Sequence, residues 1–530
     1  MSGRFVLGCL ILVFLNLSSR AQVDLNDPLG SAFRISARDK VRQALKPGTS
    51  AVFFSGGFQR QSENVVEPRP FLAHPDFHYL TGLNFPDAVL VILKSPVALT
   101  EGQVSELLFL PGAQDQALKL MGYDFPGKFG LHSGTLALRP SSQWRKFCLD
   151  VLAPDEMMTV FANPVPEGDY QKRGILAYND LGSIFFNSLA PGFPFDPTAQ
   201  ALYKEILRAD TSALRLLRPR AEALLNYYPL LRRDPIVNAF SNCRTPGDLM
   251  AVQAQIKAIK IDVEGMQQVL RDARIQKGSV ELSLLQQVSR WACEAMEFGC
   301  TGRISARTER QVQAAVEYYL NFKGASVPVQ TRVAAGNNAM STHYVRCNDS
   351  ITPKGSVIVD VVAEWKHYFT RITRTFPSSG RFEGKDLELY SQVRSIHNKG
   401  IQACKPNTLP SHIVGEIQSD FEDAVKRLGI TQSGTKGVSW IFDVTSTGLD
   451  LNEYGLPKNL LPGMVVVVET SVFIQAENNV KAEWKNKAVS LRDVVFITEQ
   501  GPKSLTSGFT SDPGGLEAIL AKSQKLPLEQ

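Results

Sequence analysis

One short segment, residues 357–376, combines an acid and a base at a spacing that matters chemically. It reads VIVDVVAEWKHYFTRITRTF, an apolar strand with a single carboxylate, Asp360, then a turn near Trp365-Lys366 and a second strand. If the turn is centred between 365 and 366, Asp360 faces Arg371 directly across the hairpin, with Cβ atoms about 4.5–5.5 Å apart. Two acids placed in this way would hold a metal ion, whereas a guanidinium cannot coordinate one. Taken alone, the pattern predicts an ordinary cross-strand ion pair.

The composition is that of a globular protein with room for a large core. The chain has 530 residues, of which 44% are hydrophobic and 21% are charged, enough for two or three domains. The formal net charge of +5 is small. No basic run with interleaved aromatic residues occurs, so we expect no nucleic-acid partner.

The first 21 residues have the pattern of a secretory signal. Arg4 precedes an apolar stretch at 5–17, and Ser19-Arg20-Ala21 provides a small-residue exit. The apolar stretch is too short to cross a hydrocarbon core of about 30 Å. We therefore predict a cleaved leader, a secreted or periplasmic location and no membrane anchor after cleavage. A short membrane anchor is the alternative.

Six cysteines lie beyond this leader, and their spacing argues against a zinc site. They are widely spread and contain no CxxC pair. In an oxidising compartment they would be able to form disulfides, but their connectivity cannot be deduced from the sequence. Buried free thiols are the alternative.

The pattern along the chain predicts two α/β (α+β) domains. Short β runs (AVFFSG, DAVLVILK, ELLFLPG) are followed by helical spacing from about 200 to 275. The proline-containing stretch LLRRDPIVNAFSNCRTPGD suggests a boundary near 235–247. The expected domains are therefore 35–235 and 247–500, with a loose polar tail at 501–530.

Five segments in the same order resemble motifs of the aminopeptidase P family. PRPFLAHPDFHYLTGLNFPDAVLVIL resembles F-x-YLTG-x-x-x-PDAVLVL, and AAGNNAMSTHYVRCN resembles SGxNAxxLHYxxN. The hairpin at 357–376 resembles LVDxGAEYxGYxSDITRTF, while LLPGMVVVVETSVFI and LRDVVFIT resemble LxPGMVxTVEPGIYI and RIEDDVLVT. The resemblance spans about 50–500. It implies an aminopeptidase P-type N-terminal α/β domain followed by a pita-bread domain, as in prolidase, methionine aminopeptidase and creatinase.

The resemblance also implies a chemistry. Active relatives hydrolyse the bond before a penultimate proline with two divalent metals, usually manganese, held by four carboxylates and one histidine. Hard divalent ions favour carboxylate oxygen, and imidazole suits several of them. Bridging carboxylates hold the two metals about 3.5–4 Å apart around the attacking hydroxide.

Transferred to this chain, the family's five metal-ligand positions are only partly retained. Asp360 and Glu469 match ligands. Arg371 stands at the second aspartate, Trp440 at the histidine, and Arg492 (or Leu491, if the register slips by one) at the final glutamate. The two arginines are expected to form ion pairs with both retained acids, which would otherwise be buried like charges.

Histidine usage supports the loss independently of the alignment. The chain has seven histidines, none of them after His412. His397 and His412 fall in or beside predicted helices, away from the strand where the family's ligand histidine belongs. His343 matches the histidine that assists the leaving group, so it is interpreted as a relic of a substrate pocket or as a packing residue.

Two hypotheses follow. The first is a secreted, catalytically inactive aminopeptidase P-like protein that lacks a cofactor and serves as a peptide-binding or scaffold protein. The second is an active Xaa-Pro aminopeptidase with two manganese ions. A peptide or protein partner fits both hypotheses, and a homo-oligomer stays open.

Overall fold

The computed structural model describes most of the chain. The described residues are 27–56, 60–62, 65–66, 71–99, 102–112, 136–154, 157, 159–162, 181–190, 197–262, 265–302, 304–451, 453 and 455–522. The predicted leader at 1–21 lies outside them. Within these ranges no helix is both long and apolar enough to span a membrane.

The chain divides into two compact units, Met1–Ala273 and Arg274–Gln530. In the first unit the strands are β1 Thr49–Phe54, β2 Arg60–Ser62, β3 Val65–Val66, β4 Val89–Leu99, β5 Gly102–Leu110, β6 Leu136–Pro140, β7 Thr159–Ala162 and β8 Ile261–Asp262. The helices up to the division are α1 Gly30–Ala44, α2 Pro75–Thr81, α3 Trp144–Phe147, α4 Leu181–Leu189, α5 Pro197–Arg208, α6 Leu214–Tyr227, α7 Pro235–Ser241, α8 Pro246–Lys257 and α9 Gln267–Arg274.

A mixed sheet forms the core of the first unit. Its strand order is β6-β5-β4-β1-β7-β8, with β1–β7, β5–β6 and β7–β8 parallel. The three β runs predicted from sequence are β1, β4 and β5. The α/β class expected for the chain is confirmed.

The boundary predicted near 235–247 falls within a helical cluster of the first unit. Helices α5 to α8 share one apolar core. The prolines that suggested a linker instead begin helices: Asp234 caps α7 at the nitrogens of Ile236 and Val237, and Thr245 caps α8. Proline is favoured at the first helical position because its missing N–H would have no partner there.

The second unit is built on a larger sheet. Its strands are β9 Arg332–Ala335, β10 Ser356–Trp365, β11 Tyr368–Pro377, β12 Val438–Ser446, β13 Val465–Ile474, β14 Lys487–Thr498 and β15 Gly501–Ser504. The order is β12-β13-β14-β11-β10-β9, with β15 paired to β14. Its helices are α10 Ser279–Cys300, α11 Glu309–Phe322, α12 Gly384–Ala403, α13 Pro410–Leu428 and α14 Pro513–Ala521.

The two faces of this sheet have different roles. Val357, Val359 and Val361 of β10 pack into the apolar core that the helices share. Because successive strand residues point to opposite faces, Asp360 projects to the other side. We call that side the site face and the first side the helix face.

The turn of the hairpin lies one residue later in the chain than predicted. The turn residues are Lys366 and His367, both with positive φ (54° and 66°), and Trp365 pairs with Tyr368. Such two-residue loops match the twist of the flanking strands. Asp360 therefore lies opposite Thr373, and Arg371 is its diagonal neighbour.

The tail predicted to be loose is largely ordered. β15 pairs with β14, and α14 buries Leu516, Ile519 and Leu520. Residues 523–530 lie outside the described part of the chain.

Candidate functional site

A row of opposed residues crosses the site face of the second-unit sheet. Each member lies opposite the next on the neighbouring strand, so that polar and charged side chains occupy one level of the sheet. From β9 to β12 the row is Arg332, Asp360, Thr373, Arg492, Glu469 and Asp443.

Asp360 is the centre of this row and is almost fully buried. Arg371 donates to it from Nε (3.0 Å) and Nη2 (2.6 Å), one bond to each carboxylate oxygen. Thr373 Oγ1 donates to Oδ1 at 2.8 Å, and Arg492 Nη1 donates to Oδ2 at 3.0 Å. Both oxygens of Asp360 are thus held by cationic donors.

Arg492 links the two retained acids. Its Nε donates to Glu469 Oε2 at 2.9 Å, its Nη2 donates to the same oxygen, and its Nη1 reaches Asp360. Ser471 Oγ donates to Glu469 Oε1 at 3.2 Å. Arg492 lies on the site face, whereas Leu491 packs in the helix-face core, which decides between the two registers considered from sequence. The expected ion pairs therefore exist, with Arg492 as the bridge.

The electrostatics of Asp360 follow from these contacts. Burial by itself raises the pKa of the carboxyl group, but the charges of Arg371 and Arg492 outweigh burial and hold the pKa well below its ordinary value. Burial lowers the pKa of Arg371, yet the opposing charge of Asp360 raises it overall. Asp360 is consequently a carboxylate at neutral pH, with its charge neutralised locally.

Arg332 is a member of the site that sequence reasoning missed. It lies opposite Asp360 on β9 and is 9% exposed. Its Nη1 donates to the carbonyl oxygens of Ser341 and Thr342. A signal was present in the sequence, because an arginine begins the apolar run RVAA that would otherwise be a buried strand.

Trp440 does not occupy the site face. It lies opposite Val472, and its ring stacks on that of Phe421 in α13 with the centroids 5.9 Å apart. Trp440 therefore does not project into the row, although the motif placed it at the family's ligand histidine, because the alternation along β12 turns it towards the helices. On the site face of β12, Ile441 contributes instead to a small apolar cluster with Phe473.

The three histidines considered from sequence lie outside the row, and His412 lies on α13. His343 is exposed in the segment after β9. His397 lies on α12, as predicted, but it is not remote from β13: its Nδ1 is 2.8 Å from Thr470 Oγ1, and its Nε2 is 2.9 Å from Asp493 Oδ2. Both contacts are on the helix face. No histidine of the described strands projects into the row.

Glu364, the other acid of the hairpin, has a structural role. It accepts hydrogen bonds from the backbone nitrogen of His367 (2.5 Å) and from Ser326 Oγ. These contacts hold the turn.

Comparison with known proteins identifies the family of the chain. Residues 256–499 match metallopeptidase family M24, and residues 35–127 match the aminopeptidase P N-terminal domain. The chain belongs to the aminopeptidase P family. The pita-bread assignment of the second unit is confirmed with it.

Relatives extend over nearly the whole chain. A Xaa-Pro aminopeptidase of Escherichia coli is 22% identical over 509 residues, covering 92% of this chain and 97% of the relative. Two solved Escherichia coli aminopeptidase P structures, one with the inhibitor Pro-Leu and one zinc-substituted with product, each give a TM-score of 0.66 at 20% identity. Each covers 93% of this chain and 98% of the other. At that identity the structural likeness shows the fold alone.

The residues present do not fit the dinuclear metal centre of the family. Both oxygens of Asp360 and one oxygen of Glu469 accept hydrogen bonds from guanidinium groups. Among the described residues, no group of three or more His, Cys, Asp or Glu side chains is arranged to hold a metal ion. Guanidinium groups supply no lone pair to a cation.

Proposed function

We propose that this protein is a catalytically inactive, secreted aminopeptidase P homologue that binds a peptide or protein without cleaving it. One observation supports this proposal above the others. Asp360, the position of a family metal ligand, is bonded on both oxygens by Arg371 and Arg492. The former ligand set has thus become a salt-bridge network.

Charge magnitudes favour the network over metal binding. A divalent ion at the row would face Arg332, Arg371 and Arg492, and two unit charges 4 Å apart interact by about 4 kcal/mol at an effective dielectric constant near 20. Entry of the ion would also break ion pairs, leaving guanidinium groups buried without partners. The arginines therefore replace the positive charge that the family's metals supply to the carboxylates.

The remaining parts of the proposal come from the sequence. A cleaved leader at 1–21 supports secretion or a periplasmic location, with no membrane anchor once the leader is removed. The small net charge supports a peptide or protein partner rather than nucleic acid. No cofactor is required for such a role.

Metal content and hydrolysis test the proposal together. The purified full-length protein is incubated with excess manganese, freed of unbound ions, and analysed for manganese, cobalt and zinc. We expect no stoichiometric metal and no cleavage of Xaa-Pro peptides, whereas Escherichia coli Xaa-Pro aminopeptidase, treated identically, is the positive control. Two metals per chain would overturn the proposal.

The second candidate function is a metal-dependent Xaa-Pro aminopeptidase. It is favoured by the alignment over 509 residues with a relative of that name. It requires ligands other than those identified, and manganese-dependent release of an N-terminal residue before proline would establish it.

A further inference from the structure

The salt-bridge network contains more positive than negative charges, and the extra positive charge lies on Arg332. Asp360 and Glu469 are bonded by Arg371 and Arg492, whereas Arg332 forms no ion pair with an acid among the described residues. Its Nη1 contacts are carbonyl oxygens, which carry no net charge. These five residues together have one positive charge more than negative charges; Asp443, the exposed acid opposite Glu469 at the end of the row, lies outside this count.

Arg332 also has an unused donor inside the protein. Its Nε is buried and has no hydrogen-bond partner in the described part of the chain, although the residue is only 9% exposed. An orphaned buried donor costs free energy, and native structures normally satisfy such groups with protein, water or a ligand. The Nη2 of Arg332 likewise has no partner among the hydrogen bonds of the described residues.

The neighbouring Arg371 provides access from solvent. Its side chain is 26% exposed, against 5% for Asp360. Its Nε and Nη2 bind Asp360, while its Nη1 makes no hydrogen bond with the described residues. Burial lowers the pKa of Arg332, and the charges of Arg492 and Arg371 lower it further against the opposing effect of Asp360. Arg371 and Arg492 both bind Asp360, and Arg332 lies opposite Asp360 on β9, so the three arginines surround one carboxylate.

We propose that the arginines Arg332, Arg371 and Arg492 form an oxyanion site that receives a carboxylate or phosphate group of a ligand. A planar guanidinium donates two parallel bonds to such groups. The free donors of Arg332 and Arg371 have that capacity, and Arg492 contributes charge. The occupant matches the surplus of one positive charge. This inference rests on the proposed metal-free state of the row.

Two sources of the oxyanion are tested in parallel, first with a chelator present and then with manganese in place of the chelator. The probes are inorganic phosphate and N-acetyl-Ala-Pro with a free C-terminal carboxylate, and the matched probe N-acetyl-Ala-Pro amide lacks the charge. Calorimetric titration of the full-length protein is expected to give saturable binding of phosphate, of the carboxylate peptide or of both, and none of the amide. Which probe binds identifies the source.

Variants locate the site. Arg332→Gln is expected to weaken binding by roughly tenfold or more, since a charged hydrogen-bonding partner is lost. Arg371→Gln, at the more exposed position, should weaken binding as well. Arg307→Gln is the matched control, because Arg307 likewise donates to two backbone carbonyls, those of Gly299 and Thr301, at a different place in the second unit. It should bind like the parent protein.

Each remaining outcome has a defined meaning. Absence of binding by both probes, or equal binding by the parent protein and both site variants, overturns the oxyanion site and leaves the proposed function intact. Binding that appears only after manganese is added overturns the proposed metal-free state. Melting curves of the three variants verify folding, and Arg371→Gln decides the matter if Arg332→Gln does not fold.

Discussion

The two faces of the second-unit sheet contain similar charged groups in different states. On the helix face, Arg374 donates from Nη2 to Asp493 Oδ1 at 2.9 Å, and its other donors reach the carbonyl oxygens of Thr510, Thr373, Arg492 and Phe509. Every nitrogen of this guanidinium has a partner. On the site face, Arg332 and Arg371 retain free donors.

The acid on the helix face completes this closed set. Asp493 accepts from Arg374 and Thr506 on one oxygen and lies 2.9 Å from His397 Nε2 on the other. Burial raises its pKa, but Arg374 and His397 outweigh burial and lower the pKa overall. This set is closed by one arginine, one histidine and one hydroxyl, and it joins β11, β14 and α12.

The difference separates a structural network from a site. A closed network has nothing left to bind, so its residues contribute to stability alone. An open network, with donors that have no partner among the described residues, has the capacity to bind a ligand. On this comparison, substitutions on the helix face should chiefly affect folding, and those on the site face should affect both folding and binding.

The largest expected effect comes from the helix face. Arg374→Met removes a guanidinium that is 1% exposed and leaves Asp493 buried with only His397 and Thr506. Breaking such a pair typically costs about 3–5 kcal/mol. Urea unfolding measures the loss in the free energy of unfolding, and hydrogen exchange of the amides in β11 and β14 shows where the structure is weakened. The double variant Arg374→Met/Asp493→Leu should recover part of it; equal instability of the single and double variants would contradict this account.

Arg371→Asp should have a smaller effect. It places a second carboxylate diagonally across from Asp360, but Arg492 and Arg332 stay nearby to offset the charge. We expect destabilisation of about 3 kcal/mol and no gain of peptidase activity, since no imidazole becomes available. The neutral variant Arg371→Gln is the control and should lose less free energy of unfolding than Arg371→Asp. Stability equal to that of the parent protein would show that Arg371 contributes little to the network.

The pH dependence of Asp360 gives a third prediction. Because its folded pKa is held below the ordinary value of about 3.9, its stabilising effect is full above that value and is lost as pH falls through the folded pKa. Asp360→Asn should cost about 2 kcal/mol at pH 7, and the gap from the parent protein should narrow below about pH 4. Asp443→Asn, at the exposed end of the row, should show no such gap. If the difference in stability between Asp360→Asn and the parent protein instead grew as the pH fell, the folded state would raise the pKa of Asp360 rather than lower it.

Much of the fold was predictable because the patterns that specify it are local. The apolar runs of β1, β4 and β5, and the hairpin strands of β10 and β11, are visible in the sequence. The family motifs, which occur in the same order along the chain, also predicted the two-domain architecture and the pairing of acids with arginines. The order of the tail after Gly501 was not predicted, because β15 is a short polar strand (GPKS) that pairs with β14, and α14 packs its few apolar residues into a core shared with distant elements.

Errors at the site came from register. The turn is centred between residues 366 and 367, one residue later than predicted. This shift changes the partner of Asp360 from Arg371 to Thr373, because the pairing of opposed residues depends on where the turn is centred. Arg332 was missed because β9 pairs with β10 across a long segment. Trp440 was assigned to a ligand position by resemblance alone, which leaves the face of the strand undetermined.

The smallest expected effect tests that last correction directly. In a background of Arg371→Asp and Arg492→Glu, which restores carboxylates to two former ligand positions, adding Trp440→His should leave manganese affinity unchanged. The reason is geometric: Trp440 lies opposite Val472 and contacts Phe421 of α13, so an imidazole there faces the helices. Ile441→His is the matched alternative. Position 441 is on the site face, two residues along β12 from Asp443, which lies opposite Glu469.

Manganese titration of the double variant and of the two triple variants, with melting curves to verify folding, distinguishes the positions. We expect tighter binding only with histidine at 441, because metal affinity follows the donors that reach the ion. Tighter binding with histidine at 440 would mean that this strand can turn over, and the division of the sheet into a helix face and a site face would then fail at β12.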